Sequence, residues 1–165
     1  MKKWMICVLI MLLSGCGAYG VPETVSDTLD FTVMPAAGIL FDMPADASEA
    51  VFSTEEAGSL YLCDGYTLTV QTLPGGDLNR TLETVTGYEA QKLTVLELER
   101  EELSSYRTVW SCAGEGGDQL GRAMILGDGT YHYVLSVMAP AEEVPALTET
   151  WNALFDSFTV SRIAP

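Results

Sequence analysis

Three apolar runs joined by very short glycine-rich connections constrain this chain more than anything else in it. Tyr106 to Ala113, Gln119 to Leu126 and Thr130 to Met138 are each of strand length. Gly114-Glu115-Gly116-Gly117 separates the first two, and Gly127-Asp128-Gly129 the second two. Connections this short join only antiparallel neighbours, because a parallel pair needs a crossover of about a dozen residues or more. Asp-Gly between two apolar runs is also a strong hairpin signal. The segment therefore reads as an antiparallel meander.

Other strands are expected upstream. Gly38-Ile39-Leu40-Phe41 is a short apolar run closed by Asp42-Met43-Pro44. Tyr66, Leu68 and Val70 alternate with Thr67, Thr69 and Gln71, the period of a half-buried strand. Gly65 divides this run from Ser59–Asp64, and Pro74-Gly75-Gly76 ends it. Thr94, Leu96 and Leu98 alternate with Val95, Glu97 and Glu99. The acidic run Glu97, Glu99, Glu101, Glu102 reads as a solvated sheet edge, where charge discourages unwanted pairing.

Two helices are expected. Asp77 is placed to cap one whose apolar face is Leu78, Leu82 and Val85, with Gly87 as its stop. The second runs from about Glu142 to Asp156. Its stripe is Val144, Leu147, Trp151, Leu154, Phe155 and Phe158, spaced for one helical face. Pro145 fits only the first turn, and Ser157 to Val160 leaves the helix extended. One helix before the meander and one after it predict an α+β fold: an antiparallel β-sheet meander flanked by helices.

The N-terminus carries an address. Lys2 and Lys3 precede the apolar run Trp4 to Leu13, and the small residues Ser14 and Gly15 precede Cys16. That order is the pattern of a secretory signal, and the run is shorter than the roughly 20 residues of a membrane-spanning helix. Leu13-Ser14-Gly15-Cys16 resembles a bacterial lipobox. The resemblance implies removal of residues 1–15 and lipidation of Cys16, with a diacylglycerol on its sulfur and often a third chain on its amine. More than one acyl chain is what makes such anchoring stable. Residues 16–35 then read as the lipidated Cys and a tether, and 36–165 as the domain. The expected place is a cell membrane, on the extracytoplasmic face. Gly17 is not Asp, which by resemblance to known lipoproteins implies outer-membrane sorting in a two-membrane bacterium.

Charge narrows the partners. The chain has 8 basic and 23 acidic residues, and losing Lys2 and Lys3 takes its net charge from −15 to −17. Nucleic acid is excluded as a partner, because phosphate binding needs clustered Lys and Arg. Anionic headgroups repel such a domain as well, so the membrane is met through the lipid on Cys16. The chain is 48% hydrophobic, too rich for a disordered segment.

With Cys7 in the apolar run and Cys16 lipidated, Cys63 and Cys112 remain. An exported location permits a disulfide between them, and a bridge is the favoured expectation. It would close a loop of about 50 residues and contribute about 4 kcal/mol. Two buried free thiols are the other reading. No Cys-x-x-Cys spacing and a single His argue against a zinc site, and no metal or other cofactor is expected.

Residues able to do chemistry are few. His132 is the lone histidine, and Asp128 and Ser136 each lie four positions away along the chain, too far on an extended strand for a local triad. A strand histidine packed among aromatics is the expectation. Asp64, Asp77, Asp118 and Asp128 sit in glycine-rich turns. Turn chemistry accounts for them, and the spacing of an EF-hand is missing. The strand aromatics Trp110, Tyr131 and Tyr133 are candidate partner contacts, with sheet core as the competing reading.

Gly38-Ile39-Leu40-Phe41-Asp42-Met43-Pro44, the meander, and the ending Trp151-Asn152-Ala153-Leu154-Phe155-Asp156-Ser157-Phe158-Thr159-Val160 together resemble PsbP-like domains. The resemblance spans roughly residues 36 to 160. It implies an α/β/α sandwich and a binding or scaffold role, and the family has no shared catalytic motif to carry over. The expected function is a non-enzymatic, membrane-anchored lipoprotein that binds another envelope component. An acidic-residue hydrolase and a Ca²⁺ or small-ligand binder are the alternative classes.

Overall fold

The computed structural model describes residues 38–54, 58–100, 103–114 and 116–161. The expected signal segment, Cys16 and the expected tether lie outside them. A compact unit spans Met34–Pro165. In chain order its elements are β1 (Gly38–Leu40), β2 (Phe52–Thr54), β3 (Gly58–Leu62), β4 (Thr67–Pro74), α1 (Leu78–Thr86), a 3-10 turn at Ala90–Lys92, β5 (Thr94–Arg100), β6 (Leu103–Gly114), β7 (Gly117–Gly127), β8 (Tyr131–Pro140), α2 (Val144–Ser157) and β9 (Thr159–Ser161).

Seven strands form one antiparallel sheet in the order β2-β3-β4-β8-β7-β6-β5, and β1 pairs with β9 in a separate two-stranded ribbon. The expected meander is β6-β7-β8, and the β5–β6 hairpin extends it by one strand. Asp128 closes the β7–β8 turn. Its Oδ1 accepts the amides of Thr130 at 2.8 Å and Tyr131 at 2.7 Å, while Gly129 takes φ 90°, which favours glycine. β8 also pairs with β4 along Thr67–Pro74. The chain leaves β4 at the middle of the sheet, crosses one face as α1, and re-enters at the far edge as β5.

Both helices begin and end where local chemistry allows. Asp77 Oδ1 accepts the amides of Asn79 at 3.0 Å and Arg80 at 3.3 Å, satisfying donors that the first turn leaves unpaired. Gly87, at φ 76°, ends α1 and donates its amide to Glu83. Leu82 is fully buried, with Leu78 and Val85 packed beside Ile125 and Val134. Pro145 lies in the first turn of α2. At the other end Ser157 Oγ accepts the amide of Asp42 at 3.0 Å, tying the residues after β1 to the end of α2.

In antiparallel ladders directly paired residues share a face, so register sorts the sheet into two layers. Arg107, Met124, Leu135 and Val70 lie in one row. Their face packs against α2 in a core containing Tyr66, Leu68, Leu126, Tyr133, Val137, Trp151, Leu154, Phe155 and Phe158. Tyr106, Ile125 and Val134 lie on the opposite face, beneath α1 and the 3-10 turn. The result is a helix–sheet–helix sandwich.

The expected Cys63–Cys112 bridge is corrected by this topology. Both residues are free thiols. Cys63 follows β3 and Cys112 lies in β6, with β4, β8 and β7 between those strands. Four strand spacings amount to about 19 Å, far beyond the roughly 7 Å that a disulfide spans between Cα atoms.

Candidate functional site

The sheet is not covered evenly. The α2 core draws on β7, β8 and β4 and leaves the β5 edge bare. Arg107 marks the margin, with its Nη2 placed 3.4 Å from Asp156 Oδ1 on α2. Beyond it, Leu96 and Val109 are each 50% exposed and Leu98 40%. Leu96 pairs with Arg107, Leu98 with Ser105 and Thr94 with Val109, so these side chains stand on the α2 face. On the other face of β5, Val95 packs into the α1 cluster, and Glu97 pairs with Tyr106 and is exposed.

β5 is the last strand of its sheet, as the acidic run led us to expect. Among the described residues nothing pairs with its outer edge. Its seven residues match Leu103–Val109 one for one, with no bulge. The opposite edge strand, β2, has only three residues. Alternation in the sequence identified Leu96 and Leu98 as sharing a face. It carried no signal that this face would lie beyond the reach of a helix.

His132 sits elsewhere and does different work. It is buried on the α1 face, with Nδ1 2.7 Å from Thr81 Oγ1. Its polar partner therefore lies on α1. Burial pushes its pKa below the ordinary value, against the opposing charges of Asp128 and Asp77. Asp128 is committed to its turn, and its Oδ2 also accepts the Tyr133 hydroxyl at 2.8 Å. Burial works to raise its pKa, but hydrogen bonds from Tyr131, Tyr133 and Thr130 outweigh that and lower it. Asp77 is spent on its helix cap. Among the described residues no group of three or more His, Cys, Asp or Glu is arranged to hold a metal ion.

The proposed aromatic contacts also need correction. Tyr133 is fully buried in the α2 core, and Trp110 is buried on the opposite face, flat against Gly121. A Cβ on Gly121 would overlap Trp110 Cζ2, so only glycine admits the indole there. Tyr131 packs beside Tyr133, their ring centroids 6.3 Å apart. Trp110 and Tyr133 therefore serve as core and present no surface to a partner, whereas Tyr131 is only partly buried against the α2 core.

Trp151 anchors the centre of α2. Its ring meets the edge of Tyr66 at 6.1 Å, and the Arg122 guanidinium lies 5.5 Å over its face. Burial, with the Cys63 thiol adding to it, raises the Tyr66 pKa far above its usual value. Burial likewise pushes the Cys63 thiol up, making it a poor nucleophile.

The arrangement of sheet and helices can be matched to solved structures. Cyanobacterial PsbP (CyanoP) from Synechocystis sp. PCC 6803 superposes with a TM-score of 0.56 at 15% identity, covering 90% of this chain and 98% of that one. The domain has the PsbP-like fold. LpqN of Mycobacterium tuberculosis, described as involved in cell envelope biogenesis, gives 0.51 at 14% identity, covering 79% and 88%. A Bacteroides thetaiotaomicron protein gives 0.52 at 13% identity, and this chain matches 46% of its length. No protein-family model and no curated protein sequence matches the chain. The expected α/β/α sandwich is observed, with α1 and α2 on opposite faces. No helix among the described residues is long and apolar enough to cross a membrane.

Proposed function

We propose that this chain is an extracytoplasmic lipoprotein, anchored through Cys16, whose PsbP-like domain binds another envelope component without catalysing a reaction. The observation that carries the binding role is the uncovered strip of Leu96, Leu98 and Val109 beside an open sheet edge. Apolar side chains clustered on an otherwise acidic surface are most useful when a partner covers them. Kinship of fold with LpqN, a protein described as involved in cell envelope biogenesis, supports the same setting. The anchor concentrates the domain at a membrane, while a net charge of −17 after signal removal keeps it off anionic headgroups. The structural engagement of His132 with Thr81 supports a role without general-base chemistry.

Two variants in a deletion strain with a measurable envelope phenotype test this. His132→Gln restores the phenotype, and a soluble form without Cys16 does not. Rescue by the soluble form together with failure of folded His132→Gln would replace the binding module with an enzyme. Radiolabelled palmitate enters the wild type and not Cys16→Ser; equal labelling of both removes the anchor from the proposal.

A further inference from the structure

The outer edge of β5 offers a second property that goes with the binding role. Seven consecutive residues, Thr94–Arg100, present one side of their backbone to no described strand. Natural sheets usually blunt such edges with proline, bulges or very short strands. β2, at the other end of this sheet, is blunted by shortness. β5 has no proline, pairs residue for residue with β6, and exposes two leucines. Its only deterrent is charge.

We infer that β5 receives an extended strand from a partner protein, one carrying Lys or Arg opposite Glu97 and apolar residues opposite Leu96 and Leu98. This rests on the binding-module reading and specifies the partner's chemistry. Residues paired across a ladder share a face. A strand added to β5 therefore sets every second side chain beside Leu96 and Leu98, on the face of the exposed strip. The intervening side chains meet the face that bears Glu97. Backbone hydrogen bonds supply affinity in such strand addition, and the alternating side chains supply selection. A second copy of this chain is a poor occupant. The antiparallel register that uses all of Thr94–Arg100 sets Glu97 against Glu97, and each copy brings a net charge of −15 or more. Like charges directly opposed destabilise a ladder. A basic–apolar strand turns the same charges into attraction and speeds encounter.

The test uses the full-length protein purified in detergent and three labelled heptapeptides: one alternating Lys with Val, one alternating Glu with Val, and the Lys peptide with alternate backbone nitrogens methylated. At low salt the Lys peptide binds at least about tenfold more tightly than the Glu peptide. The methylated peptide loses binding. Hydrogen exchange slows at β5 amides and is unchanged at β2. Glu97→Lys narrows or inverts the preference between the two charged peptides, and Leu96→Ser weakens both. Equal binding of the Lys and Glu peptides, full binding by the methylated peptide, protection at β2 instead of β5, or self-association that protects β5 each overturns the inference. In intact cells a photo-crosslinking residue at position 96 separates the two readings. An adduct whose yield is not reduced by Lys peptide added before irradiation overturns strand addition and leaves the binding module standing.

Discussion

Trp151→Ala tests whether α2 is bolted to the sheet as described. The indole is fully buried at the centre of the helix's apolar face. Truncating a buried Trp to Ala costs about 3–5 kcal/mol, set by lost transfer energy and by how far the cavity collapses. Two contacts push towards the upper part of that range. The edge-to-face pair with Tyr66 contributes about 0.5–1.5 kcal/mol, and the cation–π contact with Arg122 about 1 kcal/mol. One term opposes them: Trp151 Nε1 is buried without a hydrogen-bond partner among the described residues, and the substitution removes that cost. The net expectation is about 4 kcal/mol. For a domain of this size that lowers Tm by about 15 °C. Urea unfolding followed by circular dichroism reads the loss directly. A double-mutant cycle with Arg122→Met returns a coupling of about 1 kcal/mol if the guanidinium and indole interact in solution. A loss below about 1 kcal/mol for Trp151→Ala is the size of a surface substitution. It would mean that the stripe faces solvent and that α2 is not part of the core.

Other consequences are open to the same equipment. Cys63 and Cys112 both alkylate in denatured, unreduced protein, as read by peptide mass spectrometry; a Cys63–Cys112 linked peptide would contradict the strand order. Gly121→Ala forces the Trp110 indole out of its seat and lowers stability by about 1–3 kcal/mol; an unchanged urea midpoint would show that the ring is not held there. The folded-state pKa of His132 lies below that of the unfolded chain, so the unfolded state takes up the proton first on acidification. The contribution of His132 to stability is therefore flat above about pH 6.5 and falls below it. His132→Gln removes that part of the slope, and an identical slope in the variant would assign it to other groups. Leu96→Ser and Leu98→Ser lower stability by about 1 kcal/mol or less, because each side chain is only about half buried; losses above about 2 kcal/mol would place the strip inside the fold.

Several features were legible in the sequence because they depend on a few adjacent residues. Asp77 and Gly87 bracket α1 through contacts within one helical turn. Asp128 and Gly129 make the β7–β8 turn through their own backbone amides and a positive φ. The α2 stripe follows from helical spacing, and five of its six residues are buried, with Leu147 packed against the same core. β2, the 3-10 turn and the pairing of β1 with β9 were missed. They are three residues each and too short to show a period.

What the chain alone could not specify is everything that depends on strand order. Local rules make β5 a strand and align Leu96 with Leu98, but a period of two is the same for a covered face and a bare one. Only the path of the chain, with α1 carrying it from central β4 to the far edge, puts those leucines beyond α2. The same path holds Cys63 and Cys112 four strands apart, although both lie in apolar, strand-like contexts that suggested a bridge. It also buries Trp110 and Tyr133, whose sequence contexts suited a binding surface as well as a core. Periodicity and turn chemistry act over a few residues, and neither one encodes which strands become neighbours. That choice is made by burial of the whole apolar surface at once, and it decides which side chains remain for a partner.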